Sequence, residues 1–352
     1  EHTDRVGPTD ATLVPVASLA NRFNLQQTIN AAYATYEHAL GDFSVQTGLR
    51  LEELNLRLDQ LTSGQHNEQD YVKVYPSLHL AYKLGDDRKL TASFSTRVQR
   101  PPAFLLNPLL QVLDPTDVVV GNPALKPEET QSYELGYEQR QGQSSYTATL
   151  FYRNKVNQVQ QVERDLGDGV FEFTFGNIGT SHQAGLELSA NGKITPTLSY
   201  TVSTTAYWVQ INSGNLVADA PSESGYAVGG RVSLNWQARP DDLLQFNAQA
   251  NAKRYVAQGV LEPTYTINLG WRHKVNDRVT ATVTVQDLLA GSKFERRLDT
   301  PTLFEHFESV PVARAVFFRL DYRFGGGAAK AAKEPGFEYE NGGPAAAGPG
   351  GR

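Results

Sequence analysis

The chain has 352 residues, 40% hydrophobic and 20% charged, with a formal net charge of −6 and neither cysteine nor methionine. Without cysteine there is no disulfide framework, no thiolate metal site and no cysteine nucleophile. The acidic balance argues against a nucleic-acid binder, the apolar content is too high for a disordered chain, and no apolar run approaches the ~18 residues of a membrane helix.

Residues 1–21 are mixed, contain Pro8 and Pro15, lack an apolar signal region and read as loop. The chain therefore reads as processed or partial. A strand follows over about 22–38, with Phe23, Leu25, Ile29, Ala31 and Tyr33 on one face. After a turn at Leu40-Gly41-Asp42, the residues Phe43, Val45, Leu49 and Leu51 alternate with Ser44, Gln46, Gly48 and Arg50. The parity reverses at Glu52-Glu53. The reversal implies either a bulge or a strand that has left the membrane. Residues 71–84 alternate almost without error, with Val72, Val74, Leu78, Leu80, Tyr82 and Leu84 opposite Lys73, Tyr75, Ser77, His79 and Lys83. Gly85-Asp86-Asp87 turns the chain into Leu90, Ala92 and Phe94. The longest irregular segment then runs over about 100–129, and irregular loops beyond ~15 residues are uncommon unless functional or disordered.

The second half repeats the pattern. Turns are expected near Gly142, between Gly192 and Pro196, at Pro240-Asp241-Asp242 and at Asn276-Asp277, with longer loops near 164–180, 211–225, 256–262 and 290–311. Short turns alternating with long loops correspond to the periplasmic and extracellular ends of a bacterial barrel. Leu244, Phe246, Ala248 and Ala250 alternate with Gln245, Asn247, Gln249 and Asn251, and Val279, Ala281, Val283 and Val285 with Thr280, Thr282, Thr284 and Gln286. A soluble sandwich or propeller would carry many Lys and Glu on its wet face. The amides and hydroxyls here suit a hydrated lumen, and strands of about 12–17 residues exceed the ~5–6 of soluble sheets. Tyr and Trp near strand ends, among them Tyr33, Tyr82, Tyr152, Trp208, Trp236 and Trp271, fit interfacial girdles. The count is thirteen antiparallel strands, the last ending at Phe324. Residues 325–352 are Gly/Ala/Pro-rich and read as a flexible periplasmic tail.

Residues 121–136, GNPALKPEETQSYELG, lead from the long loop into a strand: Pro123 and Pro127 forbid helix, and Tyr133, Leu135 and Tyr137 then alternate with Ser132, Glu134, Gly136 and Glu138. By pattern alone this is a loop entering any antiparallel sheet. Its wording resembles the corresponding segment of TonB-dependent outer-membrane receptors. The resemblance extends through Arg97-Val98-Gln99-Arg100-Pro101, Phe151-Tyr152-Arg153, Asn177, Gly185-Leu186-Glu187-Leu188, Gln286-Asp287-Leu288 and Tyr322-Arg323-Phe324-Gly325. It covers roughly residues 22–325; each motif is weak alone, and their order and spacing are specific together. It implies an all-β antiparallel transmembrane barrel of about 22 strands with a plugged lumen, in the bacterial outer membrane. By that resemblance the barrel takes up a scarce solute with energy from the TonB complex. Thirteen strands form an odd, incomplete set, since single-chain bacterial barrels have even numbers and must close. An N-terminal plug and the remaining barrel strands are therefore expected partners, with outer-membrane lipid, a small solute and TonB. If Phe324 ends on the periplasmic side, Arg22 lies outside the cell and residues 1–21 belong to an extracellular loop.

No catalytic constellation is present: there is no HExxH, GxSxG or GxxxxGK[ST], so no enzyme is expected. Ser181 and His182 are strand neighbours that point to opposite faces. Asp165-Leu166-Gly167-Asp168-Gly169 lacks the ligand spacing of a calcium loop and reads as a solvated turn. The seven histidines show no ligand spacing, so no metal or cofactor is expected. Arg50, Lys73, Arg97, Glu134, Glu138, Arg153, Glu187, Arg231, Lys253, Arg272, Arg319, Asp321 and Arg323 are expected on the lumen face, most of them gripping a plug. Ligand contacts are expected from Phe104, Leu105, Asn107 and Asp114 in the long loop, because function concentrates on loops held by a rigid scaffold. The alternative is a passive pore or surface-binding barrel, which would need a sheet closed by this chain alone.

Overall fold

The computed structural model describes residues 5–6, 14–15, 20–213, 222–311 and 314–324. Thirteen strands form one antiparallel sheet: β1 Phe23–Leu40, β2 Phe43–Gln60, β3 Gln65–Lys83, β4 Arg88–Gln99, β5 Glu128–Gln141, β6 Ser144–Val156, β7 Thr180–Thr195, β8 Leu198–Asn212, β9 Glu223–Arg239, β10 Asp242–Asn251, β11 Thr264–Lys274, β12 Val279–Gln286 and β13 Ala315–Tyr322. Every strand pairs with its neighbours in sequence. β1 and β13 have one partner each and do not pair with one another, so this sheet is an open wall. Strand lengths run from 8 to 19 residues, a wider range than the alternation suggests.

The short connections gather at one end of the wall, where Gly142 supplies the φ of +59° that the β5–β6 turn requires. The long connections gather at the other end and carry structure of their own, including the helical turn Ala103–Leu106. The expected loop near 164–180 begins at 157 and contains a hairpin.

Cross-strand register arranges the outer face in rows. Phe94, Tyr133, Tyr152, Ala184, Trp208 and Tyr226 are consecutive partners across six strands. The row below, Ala92, Leu135, Leu150, Leu186, Ala206 and Val228, is wholly apolar, whereas the row above is Thr96, Gln131, Asn154, His182, Gln210 and Ser224. The aromatic row therefore marks the extracellular boundary of the hydrocarbon. On β8 the outward residues from Trp208 down to Leu198 cover ten steps, ~34 Å of strand, which a tilt of ~40° converts to the ~25 Å apolar band of an outer-membrane barrel.

At Glu52-Glu53 there is no bulge: β2 pairs continuously with both β1 and β3. β2 keeps its faces while its surroundings change. Above Glu52 the inward Leu54, Leu56 and Leu58 are buried under Leu105, Leu106 and Leu125 of the 100–127 loop. The outward residues there meet water, and His66 and Arg57 form ion pairs with Asp59 and Glu68 at 2.6 and 3.3 Å. The 19 residues of β3 span ~65 Å, so the β2–β3 hairpin stands well clear of the membrane.

Candidate functional site in the extracellular cap

The extracellular loops fold into two small sheets. One joins Gln111–Val112, Asp117–Val119, Val159–Gly167 and Val170–Asn177; the other joins Arg254–Val256, Gly259–Leu261, Phe294–Thr300 and Leu303–Ser309. Each therefore unites two loops that are far apart in sequence.

The segment from Gly121 to Glu128 anchors the first sheet. Gly121 has no room for a Cβ against the carbonyls of Leu105 and Asn107, and its N–H donates to Asn107 O at 3.0 Å. Asn122 Nδ2 donates to Phe175 O at 2.9 Å, and Asn177 Oδ1 accepts from Lys126 N at 2.8 Å. Leu125 is 1% exposed, and Gln69 Nε2 donates to the carbonyls of Pro123 and Leu125. The residues that carry the resemblance thus bind loop to loop. Asp287 instead shapes its own turn beyond β12: its carboxylate accepts from Gly291 N, Ser292 N and Ser292 Oγ at 2.6–3.2 Å.

Four residues were expected to contact ligand. Phe104 is exposed and lines a cavity of about 440 Å³ above the lumen, together with Arg254, Gln258 and Arg296. Leu105 borders the same cavity but is 3% exposed and locked into the leucine cluster, so its work is packing. Asn107 is buried at the base of the loop, where Gln60 Nε2 donates to its Oδ1 at 2.7 Å and its own Nδ2 donates to Asn21 Oδ1 at 3.1 Å. Asp114 accepts from the amides of Thr116 and Asp117 at 2.8 and 2.9 Å, which hold its carboxyl below the usual range and shape the turn before Asp117. Only Phe104 and Leu105 reach a common cavity.

Residues outside the expected ligand set make the second cavity, a cleft of about 630 Å³ between the two loop sheets. Its walls include Phe171, Phe173 and Phe175 from one sheet and Phe294 and Phe307 from the other. Arg296 stands between them, 5.8 Å from the Phe173 ring and 5.7 Å from that of Phe307. Its Nη2 donates to Glu163 Oε2 at 2.9 Å and to both Glu305 oxygens at 2.8 Å. Burial, together with the neighbouring Glu305 carboxyl, pushes Glu163 up to about 8 against the pull of Arg296. Asp117 lies beside Phe171 in register and lines the cleft; burial raises it, with Asp114 and Glu305 adding to the effect. The only visible hint in the sequence is the alternation of Phe171, Phe173 and Phe175 inside a segment read as loop.

Below the cap, the polar face of the wall largely satisfies itself. Arg50 and Arg100 pair with the buried Glu52, Lys73 with Glu129 at 3.0 Å, and Glu138 with Lys89 and Arg140 at 3.3 and 3.1 Å. Arg153 lies 4.1 Å over the Phe151 ring and pairs with Glu187 and Glu134 at 3.0 and 3.6 Å. Arg231 donates to Gln249 Oε1 at 2.7 Å, Lys253 meets Glu262 at 3.7 Å, and Arg319 pairs with Asp321 at 2.9 Å. Arg272 also has a partner. Arg97 is exposed and has no ion pair among the described residues.

A family model described as "Outer membrane protein beta-barrel family" matches residues 5–322. The chain belongs to this family. It is an antiparallel β-barrel protein of the bacterial outer membrane. Similar solved structures include the ferric-catecholate import receptor Fiu from K12 E. coli (18% identity, TM-score 0.63, 91% of this chain and 47% of that one). The ferric yersiniabactin uptake receptor FyuA from Yersinia pestis gives 15%, 0.59, 86% and 46%. The copper transporter OprC gives 13%, 0.65, 91% and 51%. The chain thus spans about half the length of these relatives, and at such identities the likeness is one of fold. No curated protein matches.

Proposed function

We propose that this chain supplies thirteen strands of a TonB-dependent outer-membrane receptor that takes up a scarce solute in an energised step. The observation that carries this reading is the cap. Loops from four connections fold into two ordered sheets over one end of a wall whose inner charges are, Arg97 apart, mostly paired. A passive pore needs an open mouth and a constriction lined with unpaired charge. A receptor needs a structured outer site above a closed lumen.

On this reading a plug domain occupies the lumen and further strands pair with the free edges of β1 and β13, since unpaired backbone groups in lipid cost several kcal/mol each. Arg97, which has no ion pair among the described residues, is available to the plug. Support comes from the receptor-like segments around Gly121 and Asp287 and from the lengths and folds of the structural relatives.

The test is uptake or growth on limiting solutes in a deletion strain complemented with the gene, with and without a functional TonB complex. Uptake that needs both supports the proposal. Uptake that persists without TonB, with conductance in planar bilayers, replaces it with a passive pore.

A further inference from the structure

The cleft between the two loop sheets has the chemistry of a receptor for a positively charged aromatic group. Its basic side chains are already committed: Arg296 is bidentate on Glu305, bonded to Glu163, and set against the rings of Phe173 and Phe307, and His306 meets Glu295 at 3.1 Å. That leaves Asp117, which has no cation within ion-pair distance among the described residues. Asp117 is the register partner of Phe171 on a parallel pair of strands, so the carboxylate and that ring stand side by side on one wall. Phe294 stands on the opposite wall, edge-to-face with Phe307 at 6.1 Å.

The charge count decides between ligand classes. Asp117, Glu163 and Glu305 face a single guanidinium, and even a protonated Glu163 leaves one carboxylate in excess. An anionic solute entering here would meet that excess with no free cation among the described residues lining the cleft to offset it. A ring bearing an ammonium or guanidinium group would stack on phenylalanine and place its charge on Asp117, combining ring–ring, cation–ring and charge-assisted contacts.

We propose that this cleft binds organic cations with an aromatic body, recognised by Asp117 and Phe171. The assignment rests on reading the cap as the place of first solute contact. The direct test is titration of the purified outer-membrane protein in detergent with three indoles of matched size: tryptamine (cation), 3-ethylindole (neutral) and indole-3-propionate (anion). Tryptamine is expected to bind about tenfold or more tighter than 3-ethylindole, and indole-3-propionate weakest. Asp117→Asn should abolish the advantage of tryptamine over 3-ethylindole, whereas Phe171→Leu should weaken both. Equal or tighter binding of the anion, no binding of any probe, or an unchanged ratio in Asp117→Asn would overturn the proposal. If a variant fails to assemble, the order of the three probes on the unsubstituted protein decides. TonB-dependent uptake without cation preference in the cleft overturns this assignment and leaves the receptor reading standing; cation preference without energised uptake does the reverse.

Discussion

Gln258 bonds to the backbone of Glu163 through both ends of its side-chain amide: Oε1 accepts from Glu163 N at 2.7 Å and Nε2 donates to Glu163 O at 2.8 Å. The two residues are 95 apart in sequence and 5% exposed each. The amide imitates a β-ladder step and joins the two loop sheets where neither has a strand to offer the other.

Removing that clip should loosen the cap without harming the wall. Gln258→Ala leaves a buried N–H and a buried carbonyl unpaired, a local cost of about 2–4 kcal/mol. Amide hydrogen exchange should speed up over 159–167 and 294–300 and stay unchanged in β6 to β8. Unchanged protection in the two loop sheets would show that the clip contributes nothing.

The carboxyl of Glu163 predicts a pH dependence with a defined sign. Its value is raised from the ordinary 4.5 to about 8 in the folded cap, chiefly by burial. A raised value means that the opened cap releases this proton at lower pH than the closed one. The stabilising effect is therefore fully present below about 4.5 and is lost as pH climbs to about 8. Exchange from the cap should accelerate across that window, and Glu163→Gln should flatten the profile. An identical profile in the variant would assign the dependence to other groups.

Face assignment can be checked at two adjacent positions. Leu188 points to lipid between Ala148 and Thr204, while Ser189 points to the lumen between Thr147 and Ser203. Leu188→Arg should cost ~2–4 kcal/mol in refolding into liposomes, and Ser189→Arg less than about 1 kcal/mol. Equal costs would mean that the two faces are wrongly assigned.

At Gly121 a single methyl group tests the loop anchor. Gly121→Ala places a Cβ against two backbone carbonyls that cannot move independently, a cost of roughly 1–3 kcal/mol. The 100–127 loop should become sensitive to protease while the barrel still migrates as a heat-modifiable species. A loop as resistant as the original would show that the backbone there yields easily.

The wall was legible in the sequence because lipid and water impose a two-residue period that local reading detects. Leu244 to Asn251 could be assigned to faces without knowing any partner strand. The parity change at Glu52-Glu53 was equally visible, but its cause was not. Leu54, Leu56 and Leu58 look like a strand facing the wrong way until Leu105, Leu106 and Leu125 are seen covering them. Leu105 and Asn107 looked available for ligand for the same reason: their partners lie about 50 residues upstream on β2. The cleft was illegible because it is positioned by pairs such as Phe171 with Asp117 and Arg296 with Leu261, which no local period encodes.

The aromatic row on the outer face has a mechanical consequence. Across six strands, one step of two residues separates rings and methyl groups from amides and hydroxyls. Sinking the wall by that step, ~7 Å along the strands, would drag Thr96, Gln131, Asn154, His182, Gln210 and Ser224 into hydrocarbon. At roughly 1–3 kcal/mol for each polar group left without water, the restoring energy is of order 10 kcal/mol. A pull along the barrel axis would therefore have to overcome this restoring energy before it shifted the wall in the bilayer.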